Sequence, residues 1–337
     1  MKALLIGGTG TISTEITKRC VRNGWDLTLL NRGHTAVPEG VHLLKGDISN
    51  EAEIENALEG QKWDVVADFI VFTPAQAERD IRLFSGKTAQ YIFISSASAY
   101  QKPLSSPWIT EGTPLHNPFW EYSRNKAACE RLLRDAYDQN GFPVTIVRPS
   151  HTYCERSMPV AVHGRKGSFQ VLERIRNGKR IIIPGDGTTL WTLTHSRDFA
   201  VAFEGIMGNI HAVGETYHIT GDESLTWNQI HECVGAALGK EIKAVHIPSE
   251  TLGRLWPDMV GNLIGDKSNT VLFDNTKIKR AVPSFITSTS FSRGAAECAE
   301  YIYSHPECQI PDPEFDSWCD RMLEAWDRAM ETYPLFP

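Results

Sequence analysis

Short runs of consecutive apolar residues recur through the first half of the chain. Residues 3–6 and 91–94 are of this kind, and such runs are typical of strands buried on both faces. Between the runs lie stretches with the length of helices, the longest over residues 121–140. Strands that alternate with helices predict an α/β fold with a doubly wound parallel sheet. The predicted strands are 2–6, 26–30, 41–45, 64–71, 90–94 and 143–147, and the predicted helices run from a glycine-rich turn to about residue 23 and over 50–58 and 121–140.

This alternation loosens beyond residue 150, where glycine, proline and charged residues separate shorter elements. The change predicts two domains: a nucleotide-binding domain over 1–150, and a smaller α/β lobe for the substrate over 151–337, segments of which can return to the first. The elements predicted there are a strand and turn over 181–187, a helix opening at 195–200, a strand over 216–220, a helix from about 226 to 238, and helices over 293–303 and 316–331.

Composition narrows the kinds of partner. The chain has 337 residues, of which 41 % are hydrophobic, and a formal net charge of −7, which gives no general attraction for nucleic acid or an anionic membrane. The first apolar run is too short for a signal peptide or a membrane span, so we expect a cytoplasmic location. The seven cysteines are scattered and form no C-x-x-C pair, which indicates neither a disulfide framework nor a metal site. We therefore expect a small-molecule partner.

A glycine-rich turn follows the first predicted strand directly. Small residues let the backbone approach a pyrophosphate at the N-terminus of the next helix, so the turn predicts dinucleotide binding. Ser13 stands where the usual fingerprint has its third glycine. The residues predicted to contact the dinucleotide are Gly7, Thr9, Gly10, Thr11 and Ile12.

The end of the second predicted strand bears on the choice of coenzyme. Asn31 and Arg32 follow it, whereas an NAD site usually has an acid there that binds the ribose 2′-hydroxyl. Arg32 can instead face a 2′-phosphate or stack on adenine, so we favour NADP over NAD. The alternative is a turn arginine that points into water.

Tyr122 and Lys126 provide the candidate chemistry. They lie one turn apart on the predicted helix 121–140, so the ammonium is near the phenol and favours its ionised form. A phenolate can take the hydroxyl proton of an alcohol that is being oxidised, and Ser96, at the end of strand 90–94, can hold the same oxygen. Tyr-x-x-x-Lys alone is weak evidence, because an aromatic residue followed by a solvated lysine gives the same pattern.

The order of the glycine turn, the strand that ends in serines and the tyrosine–lysine helix resembles the short-chain dehydrogenase/reductase superfamily. The length and the Arg148-Pro149 step after the next strand resemble its extended, NAD(P)-dependent epimerase/dehydratase branch. The resemblance implies a Rossmann-type fold, catalytic roles for Ser96, Tyr122 and Lys126, and coenzyme contacts from Tyr122 and Lys126. It also implies that Asp47 and Ile48 meet the adenine, and that the protein can form a homodimer.

The resemblance implies substrate contacts as well, with departures from the usual residues. Ser98 and Arg197 are candidates, and His151 stands where the family has an asparagine; a structural histidine is an equal alternative. Trp191 replaces an arginine that pairs with the diphosphate of nucleotide sugars, so either another cation substitutes for it or the substrate lacks that group. At the exit of the fourth predicted strand the family has small residues beside the coenzyme, whereas this chain has Asp68-Phe-Ile-Val-Phe-Thr-Pro74; the coenzyme should still pass this edge.

These residues favour some reactions over others. Sugar 4,6-dehydratases of the family carry Thr-Asp-Glu where this chain has Ser96-Ala97-Ser98, and serine cannot exchange a proton at neutral pH, so dehydration is disfavoured. The prediction is an NAD(P)-dependent oxidoreductase or epimerase that acts on a secondary alcohol or ketone of a sugar or nucleotide-sugar-like substrate. The alternative is a non-catalytic protein of the same fold that binds RNA or senses a nucleotide.

Overall fold

The computed structural model describes residues 1–332, so the last five residues of the predicted second domain, 333–337, lie outside the described residues. Its strands are β1 (Lys2–Ile6), β2 (Asp26–Asn31), β3 (His42–Lys45), β4 (Trp63–Asp68), β5 (Thr88–Ile94), β6 (Trp108–Ile109), β7 (Val144–Pro149), β8 (His151–Tyr153), β9 (Ile181–Pro184), β10 (Leu190–His195), β11 (Thr216–Ile219), β12 (Ser224–Thr226), β13 (Ala244–Ile247) and β14 (Leu272–Phe273).

Twelve α-helices lie between and after these strands within residues 1–332. They are α1 (Ser13–Arg22), α2 (Glu51–Ala57), α3 (Pro74–Phe84), α4 (Glu121–Asn140), α5 (Phe169–Arg176), α6 (Ser196–Ile206), α7 (Trp227–Leu238), α8 (Ser249–Leu255), α9 (Met259–Asn262), α10 (Thr276–Ala281), α11 (Phe291–Ser304) and α12 (Pro313–Thr332). None of the helices within residues 1–332 is long and apolar enough to cross a membrane.

The chain forms two compact units that alternate along the sequence. The first unit contains Met1–Thr152, Thr192–Asp222 and Val271–Ser288. The second contains Tyr153–Trp191, Glu223–Thr270 and the chain from Thr289 onward. Two segments of the range 151–337 therefore fold with the first unit.

A parallel sheet forms the centre of the first unit. Its strand order is β11-β7-β5-β4-β1-β2-β3, and the chain moves to opposite sides of β1 when it forms β2 and β4. Ile6 at the end of β1 is level with Leu30 of β2 and Asp68 of β4. The carboxyl ends of parallel strands border a crevice at such a reversal, and ligands bind there in open α/β folds.

Helices cover both faces of this sheet, which confirms the predicted Rossmann-type doubly wound fold. Side chains alternate along β1, so Leu5 contributes to one core and Leu4 to the other. Phe199 and Phe203 of α6 pack in the core with Leu5, and Phe84 of α3 packs in the core with Leu4. Strand β1 is therefore buried on both faces, as its apolar run predicts.

The structure corrects the prediction around β4. The strand ends at Asp68 rather than at residue 71, because the Asp68 carboxylate accepts a hydrogen bond from the N–H of Ile70 at 2.6 Å and the chain turns. Helix α3 was not predicted. It begins at Pro74, a residue that suits the first turn of a helix, and the side-chain oxygen of Gln76 accepts from the N–H of Thr73 at 3.0 Å.

The second unit is built mainly from helices with the parallel pair β9 and β13. The Trp227 ring at the start of α7 is fully buried and stacks on Trp191, with ring centroids 5.5 Å apart. Arg174 of α5 forms salt bridges with Asp316 and Asp320 of α12 at 2.6 and 2.8 Å. The predicted helix over 316–331 is thus observed, slightly longer, and it packs on α5.

Candidate active site

The chain turns sharply after β1. Gly7 has a φ of +83°, which favours glycine, and its N–H donates to the Leu30 carbonyl at 3.2 Å. A Cβ atom at Gly8 would lie 2.5 Å from a methyl carbon of Leu29, so a side chain there would collide with β2. Both glycines are therefore required by the close approach of the turn to its neighbours.

Ser13 adds two hydrogen bonds to this turn. Its hydroxyl donates to the Gly7 carbonyl at 2.7 Å and accepts from the N–H of Gly10 at 2.9 Å. The side chain is buried at the first residue of α1. A glycine here would make neither bond, so the departure from the usual fingerprint makes the turn better ordered.

A cleft of about 480 Å³ lies at the carboxyl ends of β1 and β2. The Nδ2 atom of Asn31 is buried and has no hydrogen-bond partner within residues 1–332, although its Oδ1 accepts from the N–H of Gly33 at 2.8 Å. An unpaired buried donor is available to a ligand, and the cleft fits an adenine dinucleotide. Seven of the predicted coenzyme residues line it: Gly7, Thr9, Gly10, Asn31, Arg32, Asp47 and Ile48.

Thr11 and Ile12 do not line this cleft. Thr11 is exposed and Ile12 directly precedes α1. Arg32 is exposed at the end of β2, without an acid beside it at positions 31–33. Asp47 is also exposed, and hydrogen bonds from the hydroxyl and the N–H of Ser49, at 2.6 and 3.0 Å, lower its pKa.

A buried cluster of acids lies behind one wall of the cleft. Arg79 of α3 lines the cleft, and its Nε donates to Asp80 at 2.7 Å while its Nη2 is 3.5 Å from a carboxylate oxygen of Asp68. Tyr91 donates its hydroxyl to the other oxygen of Asp80. Burial raises the pKa of both Asp68 and Asp80, most strongly for Asp68. One arginine charge is thus shared between two carboxyl groups.

The serines that follow β5 are tied to helix α4. Ser96 and Ser98 have hydroxyl oxygens 2.9 Å apart, and the Ser98 hydroxyl also accepts from Ser123 at 2.8 Å. Ser123 directly follows Tyr122 in α4. The predicted Ser96, Tyr122 and Lys126 are thereby brought to one end of the sheet, with Ser98 as the buried link between strand and helix.

Lys126 is buried, and its ammonium is held by the main chain. Its Nζ donates to the carbonyls of Val71 and Ile94, at 2.6 and 2.7 Å, and lies 5.7 Å from the centre of the Tyr122 ring. Burial lowers its pKa from 10.5 to about 8. The lysine therefore carries its charge at neutral pH close to the phenol, as the helical spacing predicts.

Two further aromatic rings surround Tyr122. The centroid of Trp120 is 5.0 Å from that of Tyr122, and the centroid of Phe72 is 6.4 Å away. Phe72 also lies over the ammonium of Lys126, at 4.7 Å. Sequence reasoning noted that residues 68–74 depart from the usual small residues but did not predict the contact of Phe72 with the tyrosine and lysine.

A buried ion pair is hydrogen-bonded to the turn that contains the serines. Glu130 of α4 accepts hydrogen bonds from Nε and Nη2 of Arg148, at 2.9 and 2.6 Å, and a further one from the Ser95 hydroxyl. Both charged side chains are almost fully buried. The arginine of the Arg-Pro step thus fixes the residue next to Ser96 through Glu130.

The other three residues predicted to contact the substrate lie in separate elements. His151 is half-buried in β8 and Arg197 is exposed near the start of α6. Trp191 belongs to the second unit, where its side chain is 4 % exposed and stacked on Trp227. One face of the Trp191 ring is therefore covered by the Trp227 ring.

Sequence reasoning missed several residues that line the cleft. Gln76 and Arg79 belong to α3, which was not predicted, and the Thr73-Pro74 helix start was the available signal. Ile70 was placed within the fourth strand rather than in the turn after it. His34, Thr35 and Ser49 also line the cleft and lie in the segments after β2 and β3.

Comparison with known proteins gives a family match and distant relatives. Residues 3–220 match the model of the NAD dependent epimerase/dehydratase family. The 2'-dehydrokanamycin reductase of Streptomyces kanamyceticus is 23 % identical over 288 residues, which cover 85 % of this chain and 80 % of the reductase. The chloroplast stem-loop binding protein of 41 kDa b of Arabidopsis thaliana is 27 % identical over 261 residues, which cover 73 % of this chain and 65 % of that protein.

Solved structures share the fold at low sequence identity. The UDP-glucose 4-epimerase of Bifidobacterium longum, in complex with NAD+ and UDP, superposes with a TM-score of 0.70 at 16 % identity and covers 92 % of this chain and 100 % of the epimerase. Sequence identity this low is evidence of a shared fold only.

Proposed function

The chain belongs to the NAD dependent epimerase/dehydratase family, and from this premise we propose that it is an NAD(P)-dependent oxidoreductase or epimerase that acts on a secondary alcohol or ketone of a sugar or nucleotide-sugar-like substrate. The observation that carries the proposal is the charged, buried Lys126 beside Tyr122 at the same edge of the sheet as the glycine turn. A reductase and a UDP-glucose 4-epimerase among the similar proteins agree with it.

In the proposed reaction each side chain has one task. The phenol of Tyr122 takes the hydroxyl proton from an alcohol that is oxidised, or returns it to a carbonyl that is reduced. Lys126 favours the ionised phenol through its charge, and Ser96 donates a hydrogen bond to the substrate oxygen. The nicotinamide coenzyme, when bound, accepts or supplies the hydride. Ser96-Ala97-Ser98 offers no acid for elimination, so dehydration stays disfavoured.

NADP is the coenzyme that we favour. The family is NAD-dependent, and the finer preference rests on Arg32, which lines the cleft, and on the lack of an acid at positions 31–33. Arginine pairs well with a phosphate, whereas an acid in this region would repel it.

The test combines coenzyme binding with turnover. Fluorescence titration should give a lower Kd for NADPH than for NADH, and Arg32→Ala should weaken NADPH about tenfold while changing NADH less. A panel of free sugars and nucleotide sugars, followed by absorbance, then identifies a substrate.

On that substrate Tyr122→Phe should keep NADPH binding and lose at least about a hundredfold in kcat. Tyr137→Phe, on the same helix, is the matched control and should keep the wild-type rate. Full turnover by Tyr122→Phe would refute the catalytic assignment.

RNA binding is the second candidate, since the Arabidopsis relative is named a stem-loop binding protein. The net charge of −7 weighs against it. Retention of RNA that weakens steeply with salt, together with no binding of NADPH or NADH, would reverse the order of the two candidates.

A homodimer that involves α4 is the assembly that we propose from the family resemblance. Sedimentation velocity on the purified chain measures it directly, and a single species at the mass of one chain would contradict it.

A further inference from the structure

Phe72 is a large apolar side chain left partly in water beside the candidate catalytic residues. It is 45 % exposed, although its ring lies 4.7 Å from the Lys126 ammonium and its centroid is 6.4 Å from that of Tyr122. Single exposed apolar residues are common on proteins. This one is different because its neighbours are a buried lysine and the tyrosine that would take the proton.

The backbone that carries Phe72 is fixed on both sides. The N–H of Phe72 donates to Oε1 of Gln76 at 2.6 Å, and the carbonyl of the preceding residue, Val71, accepts from Lys126 at 2.6 Å. The Gln76 oxygen also accepts from the N–H of Thr73, at the start of α3. The exposed ring therefore stands on an ordered segment rather than on a free loop.

The same segment borders the dinucleotide cleft. Gln76 and Ile70 line the cleft, and Phe72 lies between them in the sequence with its ring on Tyr122. A ligand that reaches from the cleft to Tyr122 and Lys126 passes this segment, and the exposed ring is the apolar surface that it meets there.

Resting on the proposed function, we propose that Phe72 is a coenzyme-binding residue whose ring forms the wall against which the nicotinamide end of the coenzyme binds. Contact between a flat heteroaromatic ring and Phe72 removes apolar surface of both from water. This contact also keeps water away from the Lys126 ammonium, so the surroundings of the lysine beneath Phe72 stay low in dielectric constant.

The experiment compares two ligands that differ only in the nicotinamide end. NADPH carries it, whereas 2′-phospho-ADP-ribose has the adenosine phosphate and pyrophosphate but no nicotinamide. Binding of both is measured by calorimetry for the wild type and Phe72→Ala. We expect Phe72→Ala to weaken NADPH about tenfold, the effect typical of one lost aromatic stack, and to change 2′-phospho-ADP-ribose less than about twofold.

Two further variants control for general damage. Phe72→Trp keeps an aromatic wall and should retain most of the NADPH affinity. Ile286→Ala removes another exposed apolar side chain of the first unit and should leave both affinities unchanged. Thermal unfolding of each variant without ligand checks that the first unit is intact.

The outcomes separate this inference from the proposed function. Equal weakening of both ligands by Phe72→Ala, or no weakening of either, overturns the role of Phe72 while the coenzyme site stands. A wild-type protein that binds neither ligand, nor NADH and ADP-ribose, overturns the proposed function and this inference together.

Discussion

Lys126 and Lys267 are buried in the same way in different units. Lys267 donates to the Ala161 carbonyl at 2.8 Å, as Lys126 does to Val71 and Ile94, and neither forms a salt bridge within residues 1–332. Burial lowers the pKa of each from 10.5 to about 8. Only Lys126 lies beside Tyr122. Comparing the two lysines therefore distinguishes the energetic cost of burying a charge from the role of that charge in function.

We expect this cost to depend on pH. The folded protein releases each lysine proton near pH 8, whereas the unfolded chain holds it until about pH 10.5. Between these values the unfolded state binds more protons, so stability rises with pH. Each lysine lowers the free energy of unfolding by about 3 kcal/mol at pH 7 and by almost nothing at pH 10.5.

The prediction is that Lys126→Met and Lys267→Met each gain stability relative to the wild type at pH 7, and that this difference falls by about 3 kcal/mol at pH 10.5. Urea unfolding at both values measures it, with the exposed Lys62→Met as control. Only Lys126→Met should also impair turnover. A difference that does not change with pH would contradict the burial argument.

At the scale of elements, two arginines form salt bridges with α12, and they differ in how far they are exposed to water. The Arg174 side chain is 2 % exposed and pairs with Asp316 and Asp320. The Arg180 side chain, shortly after α5, is 39 % exposed and pairs with Asp327 at 2.7 Å. An ion pair in water contributes little. Asp316 and Asp320 also pair with Lys179, so removing Arg174 does not leave them without a cation. Its guanidinium also donates to the carbonyls of Arg180 and Asp316, at 2.9 and 3.0 Å, and these buried hydrogen bonds would be lost.

Arg174→Met should therefore lower the free energy of unfolding by about 2 kcal/mol, and Arg180→Met by less than about 1 kcal/mol. Hydrogen exchange should show faster exchange in α12 for the first variant alone. Similar small losses for both variants would contradict the argument, because they would mean that burial of Arg174 adds nothing to the strength of its contacts.

At the scale of the whole molecule, the first unit is not a continuous N-terminal domain. Strand β11 pairs with β7 and completes the central sheet, while Phe199, Phe203 and Phe285 complete the core on the α1 face. A chain that stops at residue 150 would leave β7 as an open edge and this core half exposed.

We predict that a fragment of residues 1–150 does not unfold cooperatively and aggregates, whereas a fragment of residues 1–288, which contains every segment of the first unit, is better folded. Circular dichroism during thermal unfolding and sedimentation measure the difference. Cooperative unfolding of the short fragment would show that residues 1–150 suffice for the core.

The sequence alone determined the elements and motifs that depend on neighbouring residues. The apolar run of β1, the glycine turn after it and helix α4 are observed where they were predicted, because strand burial, turn conformation and helical spacing are set locally. The family and its fold followed from the order of these features.

Only the tertiary structure decided what surrounds each side chain. It placed Lys126 on the Val71 carbonyl, put Phe72 over that lysine, brought Arg79 of the unpredicted α3 to the cleft, and stacked Trp191 on Trp227. Each of these contacts joins segments far apart in the chain, so its strength depends on burial and packing that no local pattern records.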